Sequence, residues 1–294
     1  MEVRAHIKAL AGVNSTQNYE KYLGLPSLIG RSQVRSFKNI EGRIWDRLNG
    51  WKEKFLTQAR KEVLLKSVIQ AIPTYTMSVF KLPKTLCKKI NSMMLRFWWG
   101  HKDNLSKLAW MGWDKMGLKK EGGSLGYRDL EFFNQALLAK QGWRLVQNPN
   151  SLAARVLKAK YFPNNTFLES NMGRSPSYAW RSIWEAKKVL QARMLWRVGD
   201  GQSIRIWRDR WLPTCSSHMV QSPVRILEQE ARVGELIDVE KNWWNIPLIE
   251  DIFMKEEVEV ICNVPICPGG RPDRMVWAGT KNGAFIVRSG DHLA

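Results

Sequence analysis

The residues of this sequence that could do chemistry are few and scattered. The pattern Gly-Gly-Ser-Leu-Gly at 122–126 matches the turn that exposes the nucleophilic serine of some hydrolases. The charged run 119–121 precedes it, however, where that turn requires a buried apolar strand. The adjacent acidic pairs at 250–251 and 256–257 lie in charged helical runs, whereas polymerases and nucleases need carboxylates clustered around two metal ions. The sequence therefore predicts no catalytic residue.

Histidine and cysteine do not have the spacing of a metal site. Cys262 and Cys267 form one loose pair, with Cys215 and His218 as a distant second, whereas structural zinc usually binds two close pairs. A phosphate-binding glycine loop that ends in lysine is also missing. We therefore expect no metal and no cofactor. Four scattered cysteines are too few for a disulfide framework, which favours reduced thiols in an intracellular protein, nuclear or cytoplasmic.

Positive charge is the strongest chemical signal. The 294 residues include 46 Lys and Arg against 27 Asp and Glu, a net charge of +19. Residues 1–212 contain 38 of these Lys and Arg residues and 15 Asp and Glu residues. Residues 213–294 contain 8 Lys and Arg residues and 12 Asp and Glu residues. A basic surface of this size favours a polyanion, most commonly nucleic acid, as its partner. The chain lacks the run of about 18 apolar residues that spans a membrane, so we expect no membrane partner.

The elements that would position these cations are helices. Between residues 31 and 51, apolar residues at helical spacing share one arc, and they are Val34, Phe37, Ile40, Ile44, Leu48 and Trp51. The opposite arc is a basic ridge that consists of Arg31, Arg35, Lys38 and Arg43. A basic ridge can bind phosphates, and it can equally be a solvated charged face.

Further helices follow from local start and stop signals. One runs from Thr57, a preferred N-cap residue type, to Pro73, and another begins at Pro83 and ends at Gly100. Four tryptophans lie close together in the sequence and could stack on bases or pack in a core, and they are Trp98, Trp99, Trp110 and Trp113. Three later helices are predicted over 129–147, 151–161 and 177–191.

Strand signals are sparse. The runs 194–198 and 204–207 flank Gly199, Asp200 and Gly201 and predict a β-hairpin. The last eighty or so residues predict short helices at 233–237 and 249–260 and one strand at 285–287. The predicted fold is mainly α, with an N-terminal loop at 1–30, a basic helical region at 31–212, and an acidic, truncated, irregular α+β region at 213–294.

Seven segments, taken in order, resemble the stretch that follows the reverse transcriptase core in plant non-LTR (LINE-class) retrotransposon polyproteins. They are KYLGLP at 21–26, LNGWK at 48–52, AIPTYTMS at 71–78, RFWWG at 96–100, ALLAKQGWRL at 136–145, KAKYFP at 158–163 and WRVGDG at 196–201. In that family a zinc-binding region follows, and often a ribonuclease H domain. The resemblance spans roughly residues 19–288.

The resemblance implies an origin in a polyprotein that performs RNA-directed DNA synthesis and, in many members, RNA cleavage. The family's paired catalytic aspartates lie upstream of the segment at 21–26, and this chain has no Asp-Asp pair, so no catalytic residue carries over. A helical region after a polymerase palm is where a thumb binds the primer–template duplex through its phosphates.

We therefore expect a catalytically inactive, thumb-like fragment that binds RNA or RNA–DNA hybrid, with the rest of a reverse transcriptase as a further partner. The predicted phosphate-binding residues are Arg31, Arg35, Lys38, Arg43, Lys52, Lys54, Lys84, Lys88 and Lys89. Two alternatives remain open at this point: a helical scaffold that docks a protein through exposed tryptophans, and a translated remnant without function.

Overall fold

A computed structural model describes residues 21–27, 29–30, 32–52, 56–100, 109–118, 123–213, 217–238, 240–267 and 269–290. The structure is mainly α-helical, as predicted, and the sheets among these residues are two-stranded. The helices are α1 (Gln33–Ser36), α2 (Lys38–Lys52), α3 (Gln58–Leu64), α4 (Thr74–Met77), α5 (Lys84–Trp99), α6 (Trp113–Met116), α7 (Leu130–Gln147), α8 (Leu152–Tyr161), α9 (Tyr178–Glu185), α10 (Lys187–Arg193), α11 (Ile246–Ile252), α12 (Lys255–Cys262) and α13 (Val287–Gly290).

The strands form three antiparallel pairs. They are β1 (Lys21–Tyr22) with β2 (Leu25–Pro26), β3 (Met194–Arg197) with β6 (Arg274–Trp277), and β4 (Ile237–Asp238) with β5 (Trp243–Trp244). A 3-10 turn at Val233–Leu236 leads into β4. No helix in the described part of the chain is both long enough and apolar enough to cross a membrane.

The chain divides into two compact units. The first unit consists of Met1–Asn134 with Ser177–Ser182, and the second consists of Gln135–Pro176 with Ile183–Ala294. The division falls within α7 and α9. The boundaries predicted at residues 30 and 213 follow charge and sequence pattern, and as domain boundaries they stay predictions.

Three helix ends of the first unit lie where their capping residues predict, whereas the helix that begins after Thr57 ends at Ile69, before the predicted stop at Pro73. The Thr57 hydroxyl accepts a hydrogen bond from the backbone N–H of Arg60 at the start of α3, and the helix continues as a π-helical turn over Leu65–Ile69. Pro83 precedes α5, and Gly100 ends it in the left-handed conformation with a φ of 69°. These capping signals are local, which explains why the sequence alone predicted them correctly.

Four of the six residues predicted for the apolar arc are buried, and Trp51 is half-buried. Phe37, Ile40, Ile44 and Leu48 are all buried, and α2 packs against α5. Val34 is 45% exposed. The helix breaks at Phe37, so α1 and α2 are separate helices and their faces are not continuous. The prediction that Val34 belongs to the buried arc was therefore wrong.

Asn134 joins α7 to the segment before α5. Its buried amide oxygen accepts a hydrogen bond from the N–H of Leu82 at 2.7 Å. Its amide nitrogen donates to the carbonyls of Met77 and Phe80 at 2.8 and 2.9 Å. One side chain thus satisfies three backbone groups that would otherwise be buried without partners.

The predicted β-hairpin at 194–207 was wrong in its pairing. β3 forms where expected, but it pairs with β6 some eighty residues later, and Arg205 instead bridges Arg232. The Asp273 carboxylate, next to β6, accepts backbone N–H groups from Gly199, Gly201 and Ser203, which holds the intervening loop against β6.

The core of the second unit includes residues from both sides of position 213. Trp211 packs near Trp244, with their ring centroids 6.0 Å apart, and Val198 and Ile261 are buried in the same cluster. The strand predicted at 285–287 is absent from that described segment. Phe285 instead lies edge-on to Trp277, and α13 follows from Val287.

The tryptophan cluster divides between core and surface. Trp98 and Trp113 are buried, and their ring centroids lie 5.8 and 4.9 Å from that of Tyr127. Burial raises the pKa of the Tyr127 hydroxyl. Trp110, by contrast, is 80% exposed. Core packing therefore accounts for Trp98 and Trp113 but not for Trp110.

Candidate nucleic-acid interface

A groove of about 540 Å³ runs between α2 and α5 in the first unit. Residues from one face of each helix line it, and they are Lys38, Glu41, Gly42 and Trp45 from α2 and Lys89, Ser92, Met93 and Arg96 from α5. The spacing within each set is three, four and seven residues, which places side chains on one helical face. One stripe of residues from each helix therefore lines the groove, and each stripe has helical spacing in the sequence.

Packing on the opposite arc of α2 holds this face outward. Phe37, Ile40 and Ile44 are buried, and Lys38 lies on the exposed side. On α5, the buried stripe includes Ile90, Met94 and Phe97. Burial of the apolar stripes sets the orientation of each helix about its own axis. The residues that line the groove therefore face away from the core.

The charges of the groove are three cations against one carboxylate. Lys89 Nζ lies 2.6 Å from Glu41 Oε1, an ion pair that joins α5 to α2. Exposed pairs of this kind contribute only about 0.2 to 1 kcal/mol, so a phosphate can compete for the lysine. Within the described part of the chain, no carboxylate pairs with Lys38 or Arg96.

The structure brings together two of the nine predicted phosphate-binding residues, Lys38 and Lys89. Arg35 on α1 and Arg43 on α2 are exposed but do not line the groove. Arg43 follows Lys38 by five positions, which is about 140° around the helix axis at 3.6 residues per turn.

The remaining predicted residues lie elsewhere or outside the described part. Lys84 forms a 2.6 Å ion pair with Glu131, and this hydrogen-bonded carboxylate raises the pKa of the lysine. Lys88 is exposed on α5 beside the groove. Arg31 and Lys54 lie outside the described residues, as does the side chain of Lys52, which ends α2.

Sequence reasoning missed two residues that line the groove, Trp45 and Arg96. The Trp45 side chain is 48% exposed, which is unusual for an indole and gives the groove an aromatic surface. Arg96 follows Lys89 by seven positions, so the two cations share a helical face. That spacing was the signal for Arg96, whereas nothing in the sequence marked Trp45 as exposed.

The groove presents two lysines and one arginine to solvent. Lysine and arginine neutralise phosphates without regard to base sequence. Among the residues that the structure describes, no group of three or more His, Cys, Asp or Glu could hold a metal ion. Ser124, from the glycine-rich pattern, donates its hydroxyl hydrogen bond to the Lys115 carbonyl.

Similarity to one known protein shows the family of this chain. No protein-family model matches the chain. Over 143 residues it is 46% identical to an uncharacterized mitochondrial protein of Arabidopsis thaliana, an alignment that covers 48% of this chain and 93% of that protein. The chain belongs to the family of this mitochondrial protein.

A second similarity covers more of the chain. Over 271 residues the chain is 29% identical to an Arabidopsis thaliana protein named "Putative ribonuclease H protein", which covers 90% of this chain. The chain spans 43% of that relative's length. One of the two relatives is thus named as a ribonuclease H protein. That name describes the longer relative and not this chain.

Proposed function

We propose that this chain binds double-stranded RNA or RNA–DNA hybrid through its phosphates, without catalysis, as a reverse-transcriptase-like fragment of retrotransposon origin. The observation that carries the proposal is the groove between α2 and α5, where Lys38, Lys89 and Arg96 line one continuous surface. The proposed retrotransposon origin rests on the seven ordered segments that resemble LINE-class polyproteins. The ribonuclease H name of the longer relative supports a link to nucleic acid.

Groove geometry favours a backbone-binding mode. The cations come from two helices that are fixed by packing, so they can contact phosphates without ordering a loop first. Cations on such a surface contact phosphates, and phosphates carry no sequence information. We therefore expect affinity that depends little on base sequence and strongly on salt.

We expect no catalysis because the sequence lacks paired catalytic carboxylates. The reverse transcriptase family holds its metal ions with paired aspartates, and this sequence contains no Asp-Asp pair. The carboxylate in the groove, Glu41, is held by Lys89, and a single carboxylate does not make a two-metal site. Binding would then be the whole activity of this chain.

The salt dependence of binding tests the proposal. Replacing Lys38, Lys89 and Arg96 together with Gln removes three cations that face the groove. For three neutralised phosphates, the log–log slope of affinity against salt should flatten by about 2.7, using the B-DNA value of 0.9 per phosphate. Circular dichroism should remain unchanged, because all three side chains lie away from the buried stripes.

A matched control separates the groove from net charge. Arg155, Lys158 and Lys188 are exposed cations of the second unit, and their replacement by Gln changes the total charge by the same amount. We expect this triple variant to keep most of the wild-type slope. Equal slopes in wild type and in a folded groove variant would refute the proposed interface.

Exposed tryptophans favour a second candidate function, a scaffold that docks another protein. Trp110 is 80% exposed and Trp243 is 46% exposed, and such side chains are common in protein interfaces. Tight binding to heparin combined with no binding to either duplex would favour the scaffold. Binding to duplex that is lost in the groove variant would favour the nucleic-acid interface.

A further inference from the structure

A second basic site lies in the second unit, where three arginines surround one cavity of about 280 Å³. The arginines are Arg144 near the end of α7, Arg197 at the end of β3 and Arg274 at the start of β6. Neutral amides complete the wall, and they are Gln147, Asn148 and Asn282. None of these residues belongs to the groove between α2 and α5, and the inference does not rest on the proposed function.

Strand register brings two of the arginines together. Arg197 and Arg274 are directly opposite partners in the antiparallel β3–β6 pair. Side chains at such positions have Cβ atoms about 5 Å apart on the same face of the sheet, and like charges placed there repel each other. Val276, two residues from Arg274 and therefore on the same face, also lines the cavity.

The third arginine, Arg144, lies on α7 close to the junction of this helix with β6. The Gln147 amide nitrogen donates to the carbonyl of Met275 at 2.9 Å, and Arg274 Nε donates to Gln147 Oε1 at 3.3 Å. Arg144 lies three residues before Gln147, on the same side of the helix. Arg144 donates to Gln141, an uncharged amide, at 3.2 Å.

Nothing in the described part of the chain neutralises these three charges. No carboxylate there forms an ion pair with Arg144, Arg197 or Arg274. The nearest acid in sequence, Asp273, accepts three backbone N–H groups from residues 199–203. The carbonyls at the end of α7 supply only a partial negative charge, about half an elementary charge.

We infer that this cavity is a binding site for a phosphate group. Guanidinium groups match phosphate oxygens in geometry and can bind them with paired hydrogen bonds. A phosphate placed between Arg197 and Arg274 would also relieve the repulsion between them. The cavity volume is sufficient for a phosphate and its attached sugar but small for a larger ligand.

The experiment must distinguish a terminal phosphate monoester from a phosphate diester of a nucleic-acid backbone. A terminal phosphate monoester carries nearly two negative charges at neutral pH, and a diester of a nucleic-acid backbone carries one. Three guanidinium groups favour the more highly charged form. We therefore expect a nucleoside 5′-monophosphate to bind more tightly than a dinucleoside monophosphate, whose only phosphate is a diester.

NMR titration of the full chain tests this site. Inorganic phosphate, a nucleoside 5′-monophosphate and a dinucleoside monophosphate are added in turn while the arginine Nε–Hε signals are followed. Saturable shifts of three of these signals are expected in the wild type. The backbone amide signals of Gln147 and Asn148, which also line the cavity, should report an affinity about tenfold or more lower after Arg144, Arg197 and Arg274 are replaced by Gln. The Arg155, Lys158 and Lys188 triple variant should bind as wild type does.

Thermal unfolding gives an independent readout. Phosphate should raise the melting temperature of the wild type above that in chloride of equal ionic strength, and it should not do so for the pocket variant. Arg197→Gln alone should raise the melting temperature in the absence of phosphate, because it removes the like-charge pair. Equal phosphate affinity in wild type and pocket variant, or an equal loss in the control variant, would overturn the inference.

Discussion

Glu41→Gln should strengthen nucleic-acid binding by about fivefold. A phosphate that contacts Lys89 must share or break the 2.6 Å pair with Glu41, and exposed pairs of this kind are worth about 0.6 kcal/mol. The same phosphate meets the Glu41 charge at about 5 Å, which costs roughly 0.8 kcal/mol in water and about half that at 0.1 M salt. The sum is about 1 kcal/mol, or about a factor of five in affinity.

Fluorescence anisotropy of a short labelled RNA–DNA hybrid measures this change directly. The matched control is Glu230→Gln, which removes the same charge from an exposed pair with Arg208 in the second unit. The control should change affinity by less than about twofold, because neither Glu230 nor Arg208 lines the groove. Weaker binding by Glu41→Gln, or equal gains in both variants, would refute the assignment of the groove.

Four other predictions concern chemistry and stability. Burial raises the pKa of Cys87 to about 12, so at pH 8 an alkylating reagent should modify Cys267 and leave Cys87 intact, as read by peptide mass spectrometry. An unfolded cysteine titrates near pH 8.5, so raising the pH from about 8.5 to 10 should lower the free energy of unfolding by about 1.7 kcal/mol through this thiol. The Cys87→Ala variant should lack that contribution. Asn134→Ala should lower the free energy of unfolding by about 2 to 4 kcal/mol in urea titrations, since three backbone groups lose their partner, and an unchanged midpoint would contradict this account. Purified chain supplied with template, primer, nucleotides and Mg²⁺ should extend no primer, and template-dependent incorporation would refute the proposed absence of catalysis.

Local signals in the sequence predicted the helices well. Thr57, Pro83 and Gly100 mark helix ends through hydrogen bonds and backbone angles that involve only neighbouring residues. The buried arc of α2 also follows from spacing alone. The exception at Val34 arises because the helix breaks at Phe37, which the periodicity of the apolar residues does not reveal.

Non-local pairing accounts for most of what the sequence did not predict. β3 was expected to pair with the nearby run at 204–207, yet its partner β6 comes some eighty residues later. The same limit applies to the groove. The basic side of α2 was predicted, but Trp45 and Arg96 become neighbours only once α2 and α5 pack together. Such contacts depend on which elements meet in three dimensions.

Lysine labelling with and without bound hybrid is the most direct test of the proposed interface. The full chain is acetylated at limiting reagent, alone and in complex with RNA–DNA hybrid, and the modified lysines are quantified by mass spectrometry. The account predicts protection of Lys38 and Lys89 in the complex and no protection of Lys158 and Lys188, which are exposed in the second unit. Unchanged labelling of Lys38 and Lys89 in a saturated complex would contradict it.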